Sequence, residues 1–115
     1  MEHEKMHQVI VDPAASHRMQ EHFEFLAQVN ENAANRMLEE LLASIRSLET
    51  FPFSHPLYDR PYLPLGKYRF MVVNKRYRVV YQINGEFIFI DDIQDCRQDE
   101  DKGILNLEGG AKASD

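Results

Sequence analysis

One segment decides the fold, and it lies in the second half of the chain: residues 77–93 read YRVVYQINGEFIFIDDI. Two runs rich in β-branched and aromatic residues flank the dipeptide Asn84-Gly85. Such runs favour strands, and Asn-Gly between them is the signal of a two-residue type I′ hairpin. The segment therefore predicts two antiparallel strands, Tyr77–Ile83 and Glu86–Ile93.

A third strand is predicted directly before this hairpin. Residues 67–73 alternate between two sets, one of Tyr68, Phe70 and Val72 and the other of Lys67, Arg69 and Met71. A period of two is the pattern of a strand, and the polar residues 74–76 indicate a turn into the next strand. Four prolines between residues 51 and 66 exclude a helix or a central strand there, so an ordered loop is predicted.

The first half of the chain predicts a short strand and two helices. Residues 7–12 favour a strand, and Asp12-Pro13 is typical of a helix start, because Asp caps free amide groups and Pro suits the first helical position. Apolar residues then recur at three- and four-residue steps on either side of Asn30, which interrupts the helical pattern. Two antiparallel helices joined by a short turn are the simplest arrangement.

The predicted fold class is α+β, with a helical hairpin packed on one face of a small antiparallel sheet in the order β-α-α-β-β-β. Residues 1–99 are expected to form this single domain, and the polar residues 100–115 a frayed tail. The second face of the sheet would be partly bare. We expect Arg69 and Arg78 to project from that face.

Charge is unevenly distributed along the chain. The net charge is −6, but Arg60 to Gly85 holds six basic residues and no acidic one, so this window carries +6 and the remainder −12. A local basic patch attracts polyanions even on an acidic protein, since salt screens distant charges. The basic window therefore keeps nucleic acid among the candidate ligands.

Several classes of protein are excluded or disfavoured. No apolar run approaches the roughly 18 residues of a membrane span, and the polar start does not resemble a secretory signal. Cys96 is the only cysteine, so no internal disulfide forms. The histidines lack the spacing of metal ligands, and neither a metal nor a cofactor is expected. A cytoplasmic location fits these features.

An ordered set of motifs runs through residues 7–99: Asp12-Pro13-Ala14, Leu48-x-x-x-Pro52, Gly66-Lys67-Tyr68-Arg69, Tyr77-Arg78-Val79-Val80-Tyr81 and Ile93-Gln94-Asp95-Cys96-Arg97-Gln98-Asp99. In this order they resemble the RelE/ParE toxin superfamily. The resemblance implies a compact toxin held inactive by a cognate antitoxin. Its RelE branch cuts messenger RNA on the ribosome, and its ParE branch poisons DNA gyrase.

The resemblance also implies site residues. The basic positions of a RelE-type site match Arg69, Arg78 and Arg97, which are expected to act as catalytic residues that clamp the phosphate, because guanidinium groups fork onto phosphate oxygens. The neighbouring basic residues of the window are expected to bind the substrate, and these are Lys67, Lys75 and Arg76.

The match to a RelE-type site is incomplete. Met71 stands where a second lysine is expected, and the tyrosine of one branch would fall near Gly103, where it is absent. RNA cleavage needs a base and an acid as well as cations, and arginine is a poor base because it stays protonated. Tyr77 or Tyr81 would have to serve, although both belong to a set that is expected to face the helices.

Three functional hypotheses follow. The first is a metal-independent, ribosome-associated endoribonuclease of RelE type, with the ribosome and mRNA as partners. The second is a ParE-type inhibitor of DNA gyrase that acts by binding alone. The third is a decayed relative that retains antitoxin binding. All three include a cognate antitoxin, whose acidic or amphipathic segment would lie over the basic face or extend the sheet edge.

Overall fold

The computed structural model describes residues 6–97 of the chain. They form six elements: β1 (Gln8–Val11), α1 (Pro13–Ala27), α2 (Glu31–Ser47), β2 (Tyr68–Val73), β3 (Tyr77–Asn84) and β4 (Phe87–Asp95). This is the predicted order of one strand, two helices and three strands. The expected tail at residues 100–115 and the position of Gly103 lie outside the described residues.

Both helices begin at the predicted capping residues. The Asp12 carboxylate accepts a hydrogen bond from the Ala14 backbone N–H at 2.9 Å, and Pro13 occupies the first helical position. The Asn30 side chain accepts from the Ala33 N–H at 3.0 Å. These caps satisfy amide groups that have no partner within the helix, which is why the chain breaks into two helices at these points.

The sheet is mixed, whereas an antiparallel sheet was expected. Its strand order is β1-β4-β3-β2, with antiparallel pairing among β2, β3 and β4 and parallel pairing of β1 with β4. The reason is that α2 returns the chain to the end where β1 starts, as the hydrogen bond from the His7 N–H to the Glu49 carbonyl shows (2.9 Å). Strands β1 and β2 therefore begin at the same end. Because β2, β3 and β4 alternate in direction, β4 runs parallel to β1 and β2.

The β3–β4 turn differs from the predicted type I′. Asn84 pairs with Phe87, so the loop residues are Gly85 and Glu86, and only Gly85 has a positive φ (62°), the pattern of a type II′ turn. The type I′ pattern occurs one hairpin earlier, where Asn74 and Lys75 both have φ of 56° and the Arg76 N–H donates to the Val73 carbonyl. The left-handed conformation is unfavourable for Lys75, which is neither Gly nor Asn.

The core lies between the helical hairpin and one face of the sheet. Val9 and Val11 of β1 pack against this core. The core itself contains the buried stripe of α2 and residues on the helix-covered face of β2, β3 and β4: Met37, Leu41, Ile45, Met71, Val73, Tyr77, Val79, Tyr81, Ile88, Ile90 and Ile93. This confirms the α+β class with helices on one face. Within residues 6–97, neither helix has the length and apolarity needed to cross a bilayer.

Candidate functional site

Arg69 and Arg78 lie on opposite faces of the sheet. Arg69 pairs with Tyr81, a core residue, so its side chain is on the face that the helices cover. Arg78 pairs with Val72, which is half exposed on the other face. Paired residues of antiparallel strands share a face, so the expectation that both arginines project from the bare face is wrong for Arg69.

Arg69 lies at the end of the sheet where β2 begins. Its guanidinium donates a hydrogen bond to the His55 carbonyl at 2.6 Å, and its Cζ lies 5.4 Å from the centroid of the Phe53 ring. With Lys67 and Gly85 it lines an open cleft of about 360 Å³, which we call the basal cleft. Partial burial and then the charge of Arg69 lower the pKa of His55.

Arg78 is held against aromatic rings on the uncovered face. Its guanidinium donates to the Gln94 side-chain oxygen at 2.7 Å, and its Cζ lies 5.7 Å and 5.8 Å from the ring centroids of Tyr58 and Phe70. Its Nε is buried and has no hydrogen-bond partner within residues 6–97. The aromatic contacts fix the guanidinium in the sheet surface.

Arg76 forms a buried ion pair. It donates two hydrogen bonds to the Asp95 carboxylate, at 3.0 Å and 2.9 Å, and Asp95 is 0% exposed. Burial alone would raise the pKa of Asp95, but the hydrogen bonds and charge of Arg76 outweigh it and hold that pKa below its ordinary value. Arg76, expected to bind substrate, is therefore paired with a carboxylate of a neighbouring strand.

Arg97 lies at the opposite end of the sheet from Arg69. It lines a cleft of about 340 Å³ together with Lys75 of the β2–β3 turn and Arg36 of α2, and Tyr77 forms part of its wall. We call this the apical cleft. Sequence reasoning selected Lys75 and Arg97 but missed Arg36. Arg36 is near the start of α2, so the hairpin topology brings it to this end.

Neither candidate tyrosine is placed to act as a base. The Tyr81 hydroxyl donates to the Pro52 carbonyl at 2.7 Å, and burial raises its pKa to about 12. Burial also raises the pKa of Tyr77, whose hydroxyl is buried. Among the described residues, no group of three His, Cys, Asp or Glu side chains is arranged to hold a metal ion. The three matched arginines thus lie in three separate places, and neither candidate tyrosine is available as a base that all three could share.

Comparison with known proteins identifies the family. The family model described as "ParE toxin of type II toxin-antitoxin system, parDE" matches residues 9–100. A solved structure titled "Chromosomal ParDE TA system from P. aeruginosa" matches with a TM-score of 0.66 at 12% sequence identity, over 80% of this chain and 98% of that one. That likeness shows a shared fold. No curated protein sequence matches. The chain belongs to the ParE toxin family of type II toxin–antitoxin systems.

Proposed function

We propose that this toxin acts by binding DNA gyrase, without cleaving RNA, and that a cognate antitoxin neutralises it. The observation that carries the proposal is the placement of Arg69 and Arg78 on opposite faces of the sheet, together with the match to the ParE family. The RelE-type hypothesis, which the sequence favoured, loses its main support when these two arginines separate.

The chemistry explains why the separation matters. Cleavage through the 2′-hydroxyl requires a base, an acid and stabilising cations around one phosphorus atom, within hydrogen-bonding reach. Here Arg69 lies in the basal cleft and Arg97 in the apical cleft. The third cation, Arg78, lies against the Tyr58 and Phe70 rings. Such a surface offers several separate contacts to a large partner, which suits inhibition by binding.

The family membership implies an antitoxin partner, and the sheet edges suggest where it docks. The outer edge of β2 is partly covered by the proline-rich loop, since the Tyr58 N–H donates to the Tyr68 carbonyl and the Phe70 N–H to the Pro56 carbonyl. Strand β1 is the other edge of the sheet. An added antitoxin strand would satisfy the backbone groups on its outer side.

Induction of the chain in bacterial cells, with and without the adjacent antitoxin gene, tests the proposal. We expect filamentous cells with broken DNA and intact transcripts, and rescue by the antitoxin. Cleaved transcripts with undamaged DNA would instead establish the RelE-type activity. Absence of toxicity, with the folded protein present, would support the decayed relative.

Substitution of Arg78 separates the hypotheses further. Arg78→Met keeps an unbranched stem against the Tyr58 and Phe70 rings and removes the charge. The gyrase proposal expects at most a partial loss of toxicity, because Arg78 is one of several separate contacts, and no loss in the control Arg46→Met on the exposed face of α2. Complete loss of both toxicity and transcript cleavage in Arg78→Met alone, with the fold intact by circular dichroism, would favour the RelE-type activity.

A further inference from the structure

The apical cleft concentrates positive charge from three separate elements of the fold. Arg36 extends from α2, Lys75 from the β2–β3 turn and Arg97 from the end of β4, and all three are exposed. None of them forms an ion pair with another residue of the described range 6–97. Within residues 6–97, Glu40 is the acidic residue in the cleft wall, so the three cations exceed the negative charge of the described wall.

Arg76, which also lines this cleft, is already neutralised by the buried Asp95 carboxylate. That carboxylate also accepts a hydrogen bond from the Arg97 backbone N–H at 3.1 Å. Three further cations around one cleft fit an anion with more oxygens and more charge, such as a phosphate group.

The rim of the cleft is formed by the type I′ turn, where Asn74 and Lys75 both have φ of 56° and both line the cleft. This conformation is ordinary for Asn74 and unfavourable for Lys75, which the surrounding hairpin holds in place. The turn presents the Lys75 ammonium and the Asn74 amide, both of which donate hydrogen bonds to anions.

We propose that the apical cleft is a phosphate-binding site, with Arg36, Lys75 and Arg97 as its ligands. Its volume of about 340 Å³ is in the range of small-ligand sites. Two kinds of ligand contain such a phosphate group: a free nucleotide and the backbone of a nucleic acid. The site does not depend on the gyrase proposal, because it is defined by the toxin's own cations and is assayed without gyrase.

The test uses the purified full chain and three probes: inorganic phosphate, adenosine monophosphate and a short fluorescein-labelled DNA duplex. Amide shifts in NMR spectra report where the small probes bind, and fluorescence anisotropy reports duplex binding at increasing salt. We expect saturable shifts at residues 74–77 and 97. If the source is nucleic acid, duplex affinity falls as salt rises because counterions are released.

Charge-removing variants identify the ligands. Arg36→Gln, Lys75→Gln and Arg97→Gln should each weaken phosphate binding roughly tenfold, the size expected when one charged hydrogen bond is lost. Lys67→Gln in the basal cleft and Arg46→Gln on the exposed face of α2 are matched controls and should bind as the parent chain does. Thermal melting verifies that each variant is folded.

Three results would overturn the site. One is the absence of saturable binding of any phosphate probe. Another is equal loss of binding in the cleft variants and in the Lys67→Gln control, which would indicate diffuse attraction. The third is tighter binding of a glutamate-rich peptide than of every phosphate probe, which would make the cleft a surface for an acidic protein segment.

Discussion

The buried ion pair between Arg76 and Asp95 makes the sharpest stability prediction. Arg76→Met removes a charged side chain that is 17% exposed and takes the guanidinium away from the fully buried Asp95 carboxylate, to which the Arg97 backbone N–H still donates at 3.1 Å. Removing one partner of a buried pair costs about 3–5 kcal/mol. The remaining N–H donor and the partial exposure of Arg76 favour the lower limit, about 3 kcal/mol.

Urea unfolding followed by circular dichroism measures this cost. With a slope of about 1–3 kcal/mol per molar urea for a small domain, the midpoint should fall by roughly 1–3 M. Arg46→Met on the exposed face of α2 is the control and should change little. The double variant Arg76→Met with Asp95→Asn should recover much of the loss, because the buried carboxylate charge is removed together with the guanidinium. A cost below about 1 kcal/mol would refute the reasoning, since surface pairs are worth that little.

The pH dependence of the free energy of unfolding provides an independent test of the same ion pair. The folded-state pKa of Asp95 is below its ordinary value of 3.8, so the stabilisation is fully present above that value. It is lost as the pH falls through the lowered folded-state pKa, because the protonated carboxyl no longer favours the pair. The stability difference between the parent chain and Arg76→Met should therefore be constant near neutral pH and shrink in acid. A difference that grows as the pH falls below 3.8 would contradict the assignment.

Five further substitutions, compared in the same unfolding assay, have expected outcomes. Tyr81→Phe should lower the free energy of unfolding by about 1–2 kcal/mol, because the buried Pro52 carbonyl loses its donor. Tyr77→Phe should be neutral or stabilising, because the buried Tyr77 hydroxyl has no hydrogen-bond partner among residues 6–97. Equal costs for the two variants would contradict this. Lys75→Gly should stabilise the chain by up to about 1 kcal/mol relative to Lys75→Ala, since only glycine relieves a φ of 56°, and no difference would remove the argument for strain. Burial raises the pKa of Asp91, so the ionised carboxylate destabilises the fold and Asp91→Asn should stabilise the protein at neutral pH. This gain in stability should diminish as the pH falls through the raised pKa, because the carboxyl becomes protonated. A gain that persists in acid would contradict this prediction.

Local features of the fold were predictable because they depend on neighbouring residues. Asp12-Pro13 and Asn30 begin the helices, and the runs on either side of Gly85 form the paired strands. The parallel pairing of β1 was not predictable, since it depends on where α2 returns the chain. The turn type at Gly85 depends on register, because Asn84 pairs with Phe87 and so belongs to the strand.

The candidate site was harder to predict than the fold. The alternation of β2 was visible in the sequence, but it does not state which set of side chains faces the helices. Tyr68 and Phe70 read as a core set, yet they lie on the other face, where Phe70 packs against Tyr58 of the proline-rich loop at 5.7 Å between ring centroids. Arg69 consequently shares the helix-covered face with Met71, which is in the core.

The apical cleft shows a second limit of sequence reasoning. Arg36 and Arg97 are far apart in the chain, and only the return of the helical hairpin brings them to one cleft. A charged residue on the polar face of a helix is usually solvated, so Arg36 gave no signal of its own. Arg36 could have been assigned to the apical cleft only after α2 had been placed over the sheet.

Gyrase itself provides the most direct measurement. The purified chain is incubated with gyrase, ATP and relaxed plasmid, with antitoxin-bound toxin as the control, and a parallel reaction contains ribosomes translating a labelled messenger RNA. We expect loss of supercoiling or accumulation of cleaved plasmid in the first reaction, reversal by the antitoxin, and an intact message in the second. Unaffected gyrase together with a cleaved message would contradict the gyrase proposal.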